Sequence, residues 1–160
     1  MKIVIVGGVA GGMSAATRLR RLVDSAEIVV IERSGHVSFA NCGLPYHVGG
    51  VIKDRDDLLL QTPESLAARF ALDVRVRHEV VGIDTTAQTV EVRDIEHDRM
   101  YTEHYDSLVL SPGARPVRPP IPGIERALTL RDIEDTDAMI AALDDKVDKV
   151  GTAVIIGGGF

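Results

Sequence analysis

Two short apolar runs, IVIV at 3–6 and IVVI at 28–31, stand out near the N-terminus because no polar residue interrupts them. Continuous β-branched runs of this length are typical of strands buried on both faces of a parallel sheet. Residues 12–23 lie between the two runs and carry apolar side chains at helical spacing. This helical stripe comprises Ala15, Leu19, Leu22 and Val23. The pattern predicts a βαβ unit of a parallel sheet.

Two further helices are predicted downstream. PESLAARF at 63–70 has Pro63 at a first position, where a helix needs no backbone N–H partner, and Thr62 before it as a cap. RDIEDTDAMIAAL at 131–143 carries a second amphipathic stripe. That stripe comprises Ile133, Met139, Ile140 and Leu143.

Between these helices the hydrophobic period changes to two, which predicts an antiparallel β-meander at about 79–106. The alternating segments are 74–84, 88–95 and 99–105. Buried strands are predicted again at LVL (108–110), which runs into the turn SPG, and at AVII (153–156), which runs into glycines. The whole pattern predicts an α/β fold, a Rossmann-like parallel sheet with an inserted antiparallel β-meander.

Composition narrows the possible functions. With 45% apolar residues, a chain of 160 residues buries a sizeable core. The formal charge of −6 supplies no basic field for nucleic acid. No stretch approaches the roughly 20 apolar residues that cross a bilayer. The single cysteine, Cys42, excludes an intrachain disulfide and favours a reducing, cytoplasmic setting. Small molecules are therefore the expected partners.

The first candidate site is the turn GGVAGG at 7–12, which follows a predicted strand and precedes a predicted helix. Gly7 and Gly12 match the G-x-G-x-x-G pattern of dinucleotide-binding turns, while Val9 stands at the middle glycine position. Glu32 ends the next strand 20 residues after Gly12, where a carboxylate accepts hydrogen bonds from an adenosine ribose. An acid there disfavours a 2′-phosphate, so FAD or NAD(H) is expected. The alternatives are a structural glycine turn and a solvated glutamate.

The second candidate site is Cys42, which lies in SFANCGLPY at 38–46. Asn41 is a good cap residue and Pro45 suits a first helical turn, so the thiol is expected near a helix N-terminus. The alternative is a buried, inert cysteine. The polar, glycine-containing surroundings favour an exposed thiol instead.

These motifs together resemble the FAD-dependent pyridine nucleotide-disulfide oxidoreductases, and within them most closely the coenzyme A-disulfide reductase and CoA-persulfide reductase group. The resemblance extends over the whole chain, through SPGARP at 111–116, IPGI at 121–124 and VIIGGGF at 154–160. Most disulfide reductases of the wider superfamily have two cysteines in a C-x₄-C pattern, whereas this chain has only Cys42.

The resemblance implies a specific use of the thiol. Cys42 would form a mixed disulfide with CoA, and NAD(P)H would supply electrons by way of FAD. The substrate would be CoA disulfide or CoA persulfide. One alternative is an NADH oxidase or peroxidase that uses a cysteine sulfenic acid. Another is a non-catalytic adenine-nucleotide-binding module in which the thiol is incidental.

The resemblance also assigns binding residues. The residues expected to bind the cofactor are Gly7, Gly8, Gly11, Gly12, Glu32, Arg33, Val80, Ser111, Pro112 and Gly113. The residues expected to bind substrate are Ser14, Arg18, Arg21, Ser38 and Asn41. Positions 14, 18 and 21 share a helix face, on which two cations could bind CoA phosphates, although an ordinary solvated face is the alternative. Gly157 and Gly159 match an NAD(P)H-binding turn. The five histidines show no metal-ligand spacing, and His47 is interpreted as a surface residue.

The same resemblance divides the chain into three parts. Residues 1–115 are expected to form the N-terminal part of an FAD-binding domain, and 116–150 a connector and helix. Residues 151–160 would be the first strand and glycine turn of a truncated NAD(P)H-binding domain. The full-length protein is expected to be a homodimer, and the 160-residue chain alone is expected to be inactive.

Overall fold

The computed structural model describes residues 1–144 and 152–157. The helices are α1 (Ala10–Leu22), α2 (Leu44–Val48), α3 (Pro63–Phe70) and α4 (Ile133–Asp144). The strands are β1 (Lys2–Val6), β2 (Glu27–Ile31), β3 (Asp73–Arg75), β4 (His78–Asp84), β5 (Thr89–Asp94), β6 (Arg99–His104) and β7 (Ser107–Leu110). Short 3₁₀ turns lie at Asn41–Gly43, Arg55–Leu58 and Ile124–Arg126.

The central layer is a four-stranded parallel sheet with the strand order β3-β2-β1-β7. Its uninterrupted apolar runs place Val4 and Val29 toward one face and Ile5 and Val30 toward the other. Helices α1 and α3 cover the second face, where Met13, Ala16 and Leu66 join its buried cluster. Burial on this face accounts for the apolar residues at alternate positions of β1 and β2.

The opposite face of the parallel sheet packs against the meander. Strands β4, β5 and β6 form a separate antiparallel sheet, and Val90 and Val92 of β5 join Val4, Val29 and Ile31 in one buried cluster. The layers are therefore helices, parallel sheet and antiparallel sheet. The predicted fold class, a Rossmann-like sheet with an inserted meander, is confirmed.

The predicted helices are confirmed, with adjustments. Helix α3 begins as expected: Thr62 and Ser65 form a reciprocal capping box, and Pro63 occupies the first turn. In α1, the core-facing side is centred on Gly12, Ala16 and Leu19, so Leu22, at the side of that face, is 62% exposed. The structure contains no helix among the described residues with the length and apolarity needed to span a membrane.

Three predicted strands differ from the structure. The strand predicted as buried at 108–110 forms as β7, but it lies at the edge of the sheet and Leu110 is 57% exposed. The segment 74–84 contains two strands, because Arg77 has a positive φ of 60° that turns the chain between β3 and β4. Of these two strands, β3 belongs to the parallel sheet and β4 to the meander. The segment 153–156 forms no strand, and Val154 and Ile155 are exposed. A strand needs a hydrogen-bonded neighbour, and none of the described strands pairs with these residues. Gly157 has a φ of +95°, whereas Gly159 lies outside the described residues.

Candidate functional site

Two cavities lie side by side at the carboxyl ends of β1 and β2. The glycine-turn cavity, of about 420 Å³, is lined by residues of the turn, the end of β2, the start of β4 and the segments 111–115 and 131–132. The Cys42 cavity, of about 560 Å³, is lined by α1, the loop that carries Cys42 and α3. Four residues line both cavities and form a shared wall: Val9, Ala10, Phe39 and Asn41. Ligands in the two cavities would therefore be separated only by this wall.

Glycines set the shape of the glycine-turn cavity. Gly7 has a φ of +96°, and a Cβ on it would collide with the carbonyl oxygen of Ser111. A Cβ on Gly12 would collide with the carbonyl oxygen of Gly7. The missing side chains let β1, α1 and the 111–113 turn approach one another closely. A bound group can thus reach the backbone at the end of β1.

The N-terminus of α1 faces the same cavity. The cap residue Val9 supplies no side-chain hydrogen bond, and the first turn contains no acidic residue. Ala10 and Gly11 line the cavity. Uncapped N–H groups at the positive end of a helix favour a phosphate group. The geometry of the turn therefore fits the pyrophosphate of the expected dinucleotide.

Glu32 connects the glycine turn with the loop that follows β2. Its Oε2 accepts a hydrogen bond from the Gly8 N–H at 2.7 Å, and its Oε1 accepts from the N–H and the hydroxyl of Ser34, both at 2.8 Å. These three bonds leave about one of the four lone-pair positions of a carboxylate open. Glu32 also lines the cavity, so its carboxylate can still accept a hydrogen bond from a ribose hydroxyl there. The residues present fit FAD.

The structure brings most of the expected cofactor residues together. The lining of the glycine-turn cavity includes Gly7, Gly11, Glu32, Arg33, Val80, Ser111, Pro112 and Gly113. Gly8 and Gly12 lie behind this surface, where Gly8 bonds Glu32 and Gly12 packs against Gly7. The cofactor role of these residues stays a prediction.

Sequence analysis missed several residues of this cavity. They include Ser34, His78, Glu79, Arg115, Arg131 and Asp132. Arg131 is held by the carbonyl oxygen of Ala114, to which its Nε donates, and by Asp135, whose carboxylate accepts from its backbone N–H at 2.8 Å. Arg131 lies 18 residues after Gly113 in the sequence, and no motif surrounds it. Only the fold of the connector brings its side chain beside Gly113.

Cys42 is exposed, as the sequence predicted, and it lies in the 3₁₀ turn Asn41–Gly43 just before α2. The prediction that Asn41 caps a helix is wrong. Ala40 is the cap residue of this turn and Gly43 that of α2, and neither supplies a side-chain hydrogen bond. The physical reason is that Asn41 is already inside the 3₁₀ turn, with its N–H bonded to the carbonyl oxygen of Phe39 at 3.0 Å. Its side chain is left to line both cavities.

The loop before Cys42 is fixed to the glycine turn. Ser38, at a φ of 48°, donates its N–H to the carbonyl oxygen of Gly8 at 2.9 Å. The Ala40 N–H bonds the carbonyl oxygen of Leu58 at 2.8 Å. Beneath the loop lies a buried cluster of Phe39, Leu44, Leu58 and Ile133. The position of the thiol is thus determined by backbone bonds and by packing.

The expected substrate residues divide into two groups. Ser14, Ser38 and Asn41 line the Cys42 cavity, whereas Arg18 and Arg21 lie on the exposed surface of α1 outside its lining. The cavity also contains residues that sequence analysis missed, of which the polar or aromatic ones are Thr17, Phe39, Gln61, Arg69 and Phe70. Arg69 and Phe70 end α3, and the helical pattern of 63–70 gave no sign that this end faces the thiol. His47, interpreted as a surface residue, is half-buried and donates from Nδ1 to the Ile52 carbonyl oxygen at 2.7 Å.

Helix α4 contacts both the loop that follows β2 and the 3₁₀ turn Arg55–Leu58. Arg55 forms a two-pronged ion pair with Asp137, with both N–O distances at 2.8 Å, and this contact lowers the pKa of Asp137. Glu134 accepts from the Gly35 N–H at 2.9 Å. Burial opposes ionisation of Glu134, but the hydrogen bond from Gly35 and the nearby charge of Arg77 outweigh it and lower its pKa. Both carboxylates therefore stay ionised near neutral pH.

Comparison with known proteins identifies similar chains. The family model described as pyridine nucleotide-disulphide oxidoreductase matches residues 1–160. The coenzyme A disulfide reductase of Staphylococcus aureus (strain JH9) is 40% identical over 99% of this chain, which corresponds to 36% of that protein. The chain thus spans little more than a third of that curated relative.

Two solved structures are similar throughout the part compared. Reduced Bacillus anthracis CoADR-RHD is 52% identical, with a TM-score of 0.89 over 91% of this chain and 27% of its own. The NAD-dependent persulfide reductase of A. fulgidus is 34% identical, with a TM-score of 0.85 over 91% of this chain and 27% of its own.

Proposed function

Because this chain belongs to the pyridine nucleotide-disulphide oxidoreductase family, we propose that it is the FAD-binding part of an NAD(P)H-dependent flavoprotein disulfide reductase. The substrate is CoA disulfide or CoA persulfide, and the reacting group is Cys42. The observation that carries the proposal is the shared wall, which separates the glycine-turn cavity from a cavity that exposes a single thiol. The similarity to a coenzyme A disulfide reductase supports this choice of substrate.

The cofactor is FAD, and when bound it supplies two-electron transfer between NAD(P)H and a sulfur atom. The α1 N-terminus and the glycine turn hold its pyrophosphate, and Glu32 accepts a hydrogen bond from its ribose. The turn Ser111–Gly113 and Arg131 line the same cavity and are proposed to contact the rest of the cofactor. These assignments account for why the expected cofactor residues converge.

Cys42 carries out thiol–disulfide exchange. Its sulfur attacks one sulfur of CoA disulfide, so a bond forms between Cys42 Sγ and a CoA sulfur while the original S–S bond breaks. The second CoA leaves as a thiol and takes the proton that Cys42 lost. The protein then stores one CoA as a mixed disulfide, since Cys42 is the single cysteine of the chain. The exposed thiol beside Ser14, Ser38 and Asn41 gives the disulfide direct access.

Turnover is proposed for a longer protein than these 160 residues. The chain spans 36% of the S. aureus relative, and Gly157 and Gly159 are proposed to begin an NAD(P)H-binding turn. The domain division at 115 and 150, the homodimeric assembly and a cytoplasmic location belong to the same proposal. The 160-residue chain is expected to exchange with CoA disulfide once and not to turn over.

The proposal is tested by mass spectrometry of the chain after incubation with CoA disulfide. One CoA adduct is expected on the wild-type protein and none on Cys42→Ser. A parallel incubation with hydrogen peroxide and a sulfenic-acid-trapping reagent examines the oxidase or peroxidase alternative. Trapped sulfenic acid without a CoA adduct would favour that alternative. Neither product would favour a nucleotide-binding module with an incidental thiol.

A further inference from the structure

Two buried polar atoms lack a partner where α4 meets the loop that follows β2. They are Nδ1 of His36, in the loop, and Oε2 of Glu134, in the first turn of α4. No group in residues 1–144 or 152–157 forms a hydrogen bond with either atom. The two side chains face each other, since His36 Nδ1 lies 3.5 Å from Glu134 Oε1. Buried polar atoms are nearly always paired, so this exception calls for a physical reason.

Capping of α4 does not explain Glu134. An acid in the first turn interacts favourably with the helix dipole, but two other acids already serve this end of α4. Asp132 accepts the Asp135 N–H at 2.9 Å, and Asp135 accepts the Arg131 N–H at 2.8 Å. The Glu134 carboxylate instead reaches the loop and accepts the Gly35 N–H at 2.9 Å. Glu134 therefore joins two segments that are 99 residues apart in the sequence.

The loop bound by Glu134 also carries Glu32 of the glycine-turn cavity. The N–H and the hydroxyl of Ser34 bond Glu32, and the same hydroxyl lies 3.0 Å from the carbonyl oxygen of His36. Gly35 has no room for a side chain, because a Cβ there would lie 2.9 Å from Glu134 Oε1. The contact with α4 therefore reaches Glu32 through the backbone of one short loop.

Several charged or titratable groups surround His36. They are Glu32 in its own loop, Glu134 and Asp137 of α4, Arg77 between β3 and β4, Arg55 of the 3₁₀ turn and His47 of α2. Arg55 is paired with Asp137 at 2.8 Å, and Arg77 lies 3.3 Å from Glu134. A guanidinium keeps its charge at any working pH, whereas an imidazole changes charge between about pH 5 and 8. Among the described groups that contact Glu134, the one imidazole is that of His36.

The protonation state of His36 decides how well this contact is paired. An unprotonated Nδ1 presents a lone pair to the carboxylate, and the two groups then repel each other. A neutral ring with its proton on Nδ1 offers an uncharged donor. An imidazolium offers a charged donor to the carboxylate, and such bonds are shorter and stronger than neutral ones. The contact is therefore strongest when both ring nitrogens of His36 are protonated.

We propose that His36 and Glu134 form a proton-dependent clasp, which fastens α4 to the loop that follows β2 and so positions Glu32. The clasp is tight on the acid side of neutral pH, where Glu134 is still ionised, and it loosens as the pH rises and His36 loses its proton. The inference goes beyond the proposed function, because it concerns the attachment of this loop and not the reaction of Cys42.

A double-mutant cycle measures the clasp directly. Urea unfolding of the wild type, His36→Gln, Glu134→Gln and the double variant gives the coupling between the two side chains as a ratio of unfolding constants. We expect about threefold coupling at about pH 5.5 and less than about 1.5-fold at about pH 8, as for a partly exposed ion pair that forms only with the imidazolium. The matched control is the cycle of Arg77→Gln with Glu134→Gln. Its coupling is expected to be the same at both pH values, because the guanidinium stays charged.

Hydrogen exchange of the Gly35 amide provides a second measurement, because this N–H donates directly to Glu134. Its protection, corrected for the intrinsic pH dependence of exchange, is expected to fall about threefold between about pH 5.5 and 8. His36→Gln is expected to remove this change, whereas His104→Gln, at an exposed histidine of β6, is expected to retain it. This comparison needs no Glu134 variant, so it decides the matter even if Glu134→Gln does not fold.

Two results would overturn the inference. One is a coupling between His36 and Glu134 that is equal at the two pH values. The other is a pH dependence of Gly35 exchange that His36→Gln leaves unchanged, or that His104→Gln removes as well, since the change would then not arise at His36. The CoA adduct on Cys42 is measured separately, so the clasp and the proposed function can each fail alone.

Discussion

The glycine-turn cavity and the Cys42 cavity share a wall, yet they are built from different parts of the polypeptide. In the glycine-turn cavity, the key groups are backbone N–H groups and glycines whose missing side chains permit close approach. In the Cys42 cavity, they are side chains that come from α1, the 38–42 loop and the end of α3. A backbone site fixes the shape of its ligand, whereas a side-chain site is changed one residue at a time. We therefore expect a substitution in the glycine turn to abolish ligand binding in the first cavity, and a substitution in the Cys42 cavity to change which ligands bind there.

The largest effect is expected from breaking the backbone site. A side chain at Gly12 would occupy the space of the Gly7 carbonyl oxygen, so Gly12→Val forces β1 and α1 apart. We expect a loss of about 4 kcal/mol or more in the free energy of unfolding, and no FAD binding. Urea unfolding and an FAD fluorescence titration measure the two effects. Gly82→Val in β4 is the control, since Gly82 has no positive φ and a Cβ there would meet only the Glu91 side chain, at 3.3 Å. Equal stability of both variants would show that the glycine turn is not under this constraint.

An intermediate effect is expected at Glu32, the side chain on which the backbone site depends. In Glu32→Gln, one amide oxygen replaces two carboxylate oxygens, so the new NH₂ group faces an N–H donor of Gly8 or Ser34. We expect a loss of about 2 kcal/mol in the free energy of unfolding, typical of a hydrogen bond to a charged group. FAD affinity should fall as well. Glu91→Gln, on the exposed surface of the meander, is the control. A Glu32→Gln protein as stable as the control would mean that these bonds are replaced by water.

The smallest effect is expected at the ion pair that anchors the side-chain site. The pKa of Asp137 lies below its ordinary value of 3.8, because Arg55 stabilises the carboxylate. The stabilisation is therefore fully present above about pH 4 and is lost as the pH falls through the lowered pKa of the folded state. Asp137→Asn should cost up to about 1 kcal/mol near neutral pH, since the pair is partly exposed, and almost nothing near the acid limit.

Thermal melting from neutral to acidic pH measures this difference. The control is Asp56→Asn on the 3₁₀ turn that carries Arg55, because the Asp56 carboxylate forms no ion pair with any residue that the structure describes. A destabilisation of Asp137→Asn that persists unchanged at low pH would mean that the contact acts through packing instead of charge.

The contrast between the two cavities also explains what the sequence could predict. The βαβ unit, the glycine turn and Glu32 are encoded by residues close together in the chain, and the structure brings them together as expected. The exposure of Cys42 follows from its polar neighbours and was predicted as well. These features depend on local spacing and on the burial of β-branched residues, so no tertiary information was needed.

The remaining features depend on contacts between distant segments. Arg69 and Arg131 reach the cavities only because α3 packs beside α1 and the connector returns to the glycine turn. The segment 74–84 reads as one strand until the positive φ of Arg77 divides it. Asn41 has the right chemistry for a cap, but the backbone places it one position inside the turn. Periodicity carries no information on any of these positions.

Gly8 forms hydrogen bonds through both of its backbone polar groups. Its N–H donates to Glu32, and its carbonyl oxygen accepts from the N–H of Ser38 in the loop that carries the thiol. One residue without a side chain thus connects Glu32, which lines the glycine-turn cavity, with the loop that carries Cys42. A Cβ on Gly8 would lie 2.7 Å from the Val37 side chain. A chimera that transfers the 38–46 loop into a relative is therefore expected to keep this connection only where the relative also has a glycine at the position of Gly8, and engineers should check that position first.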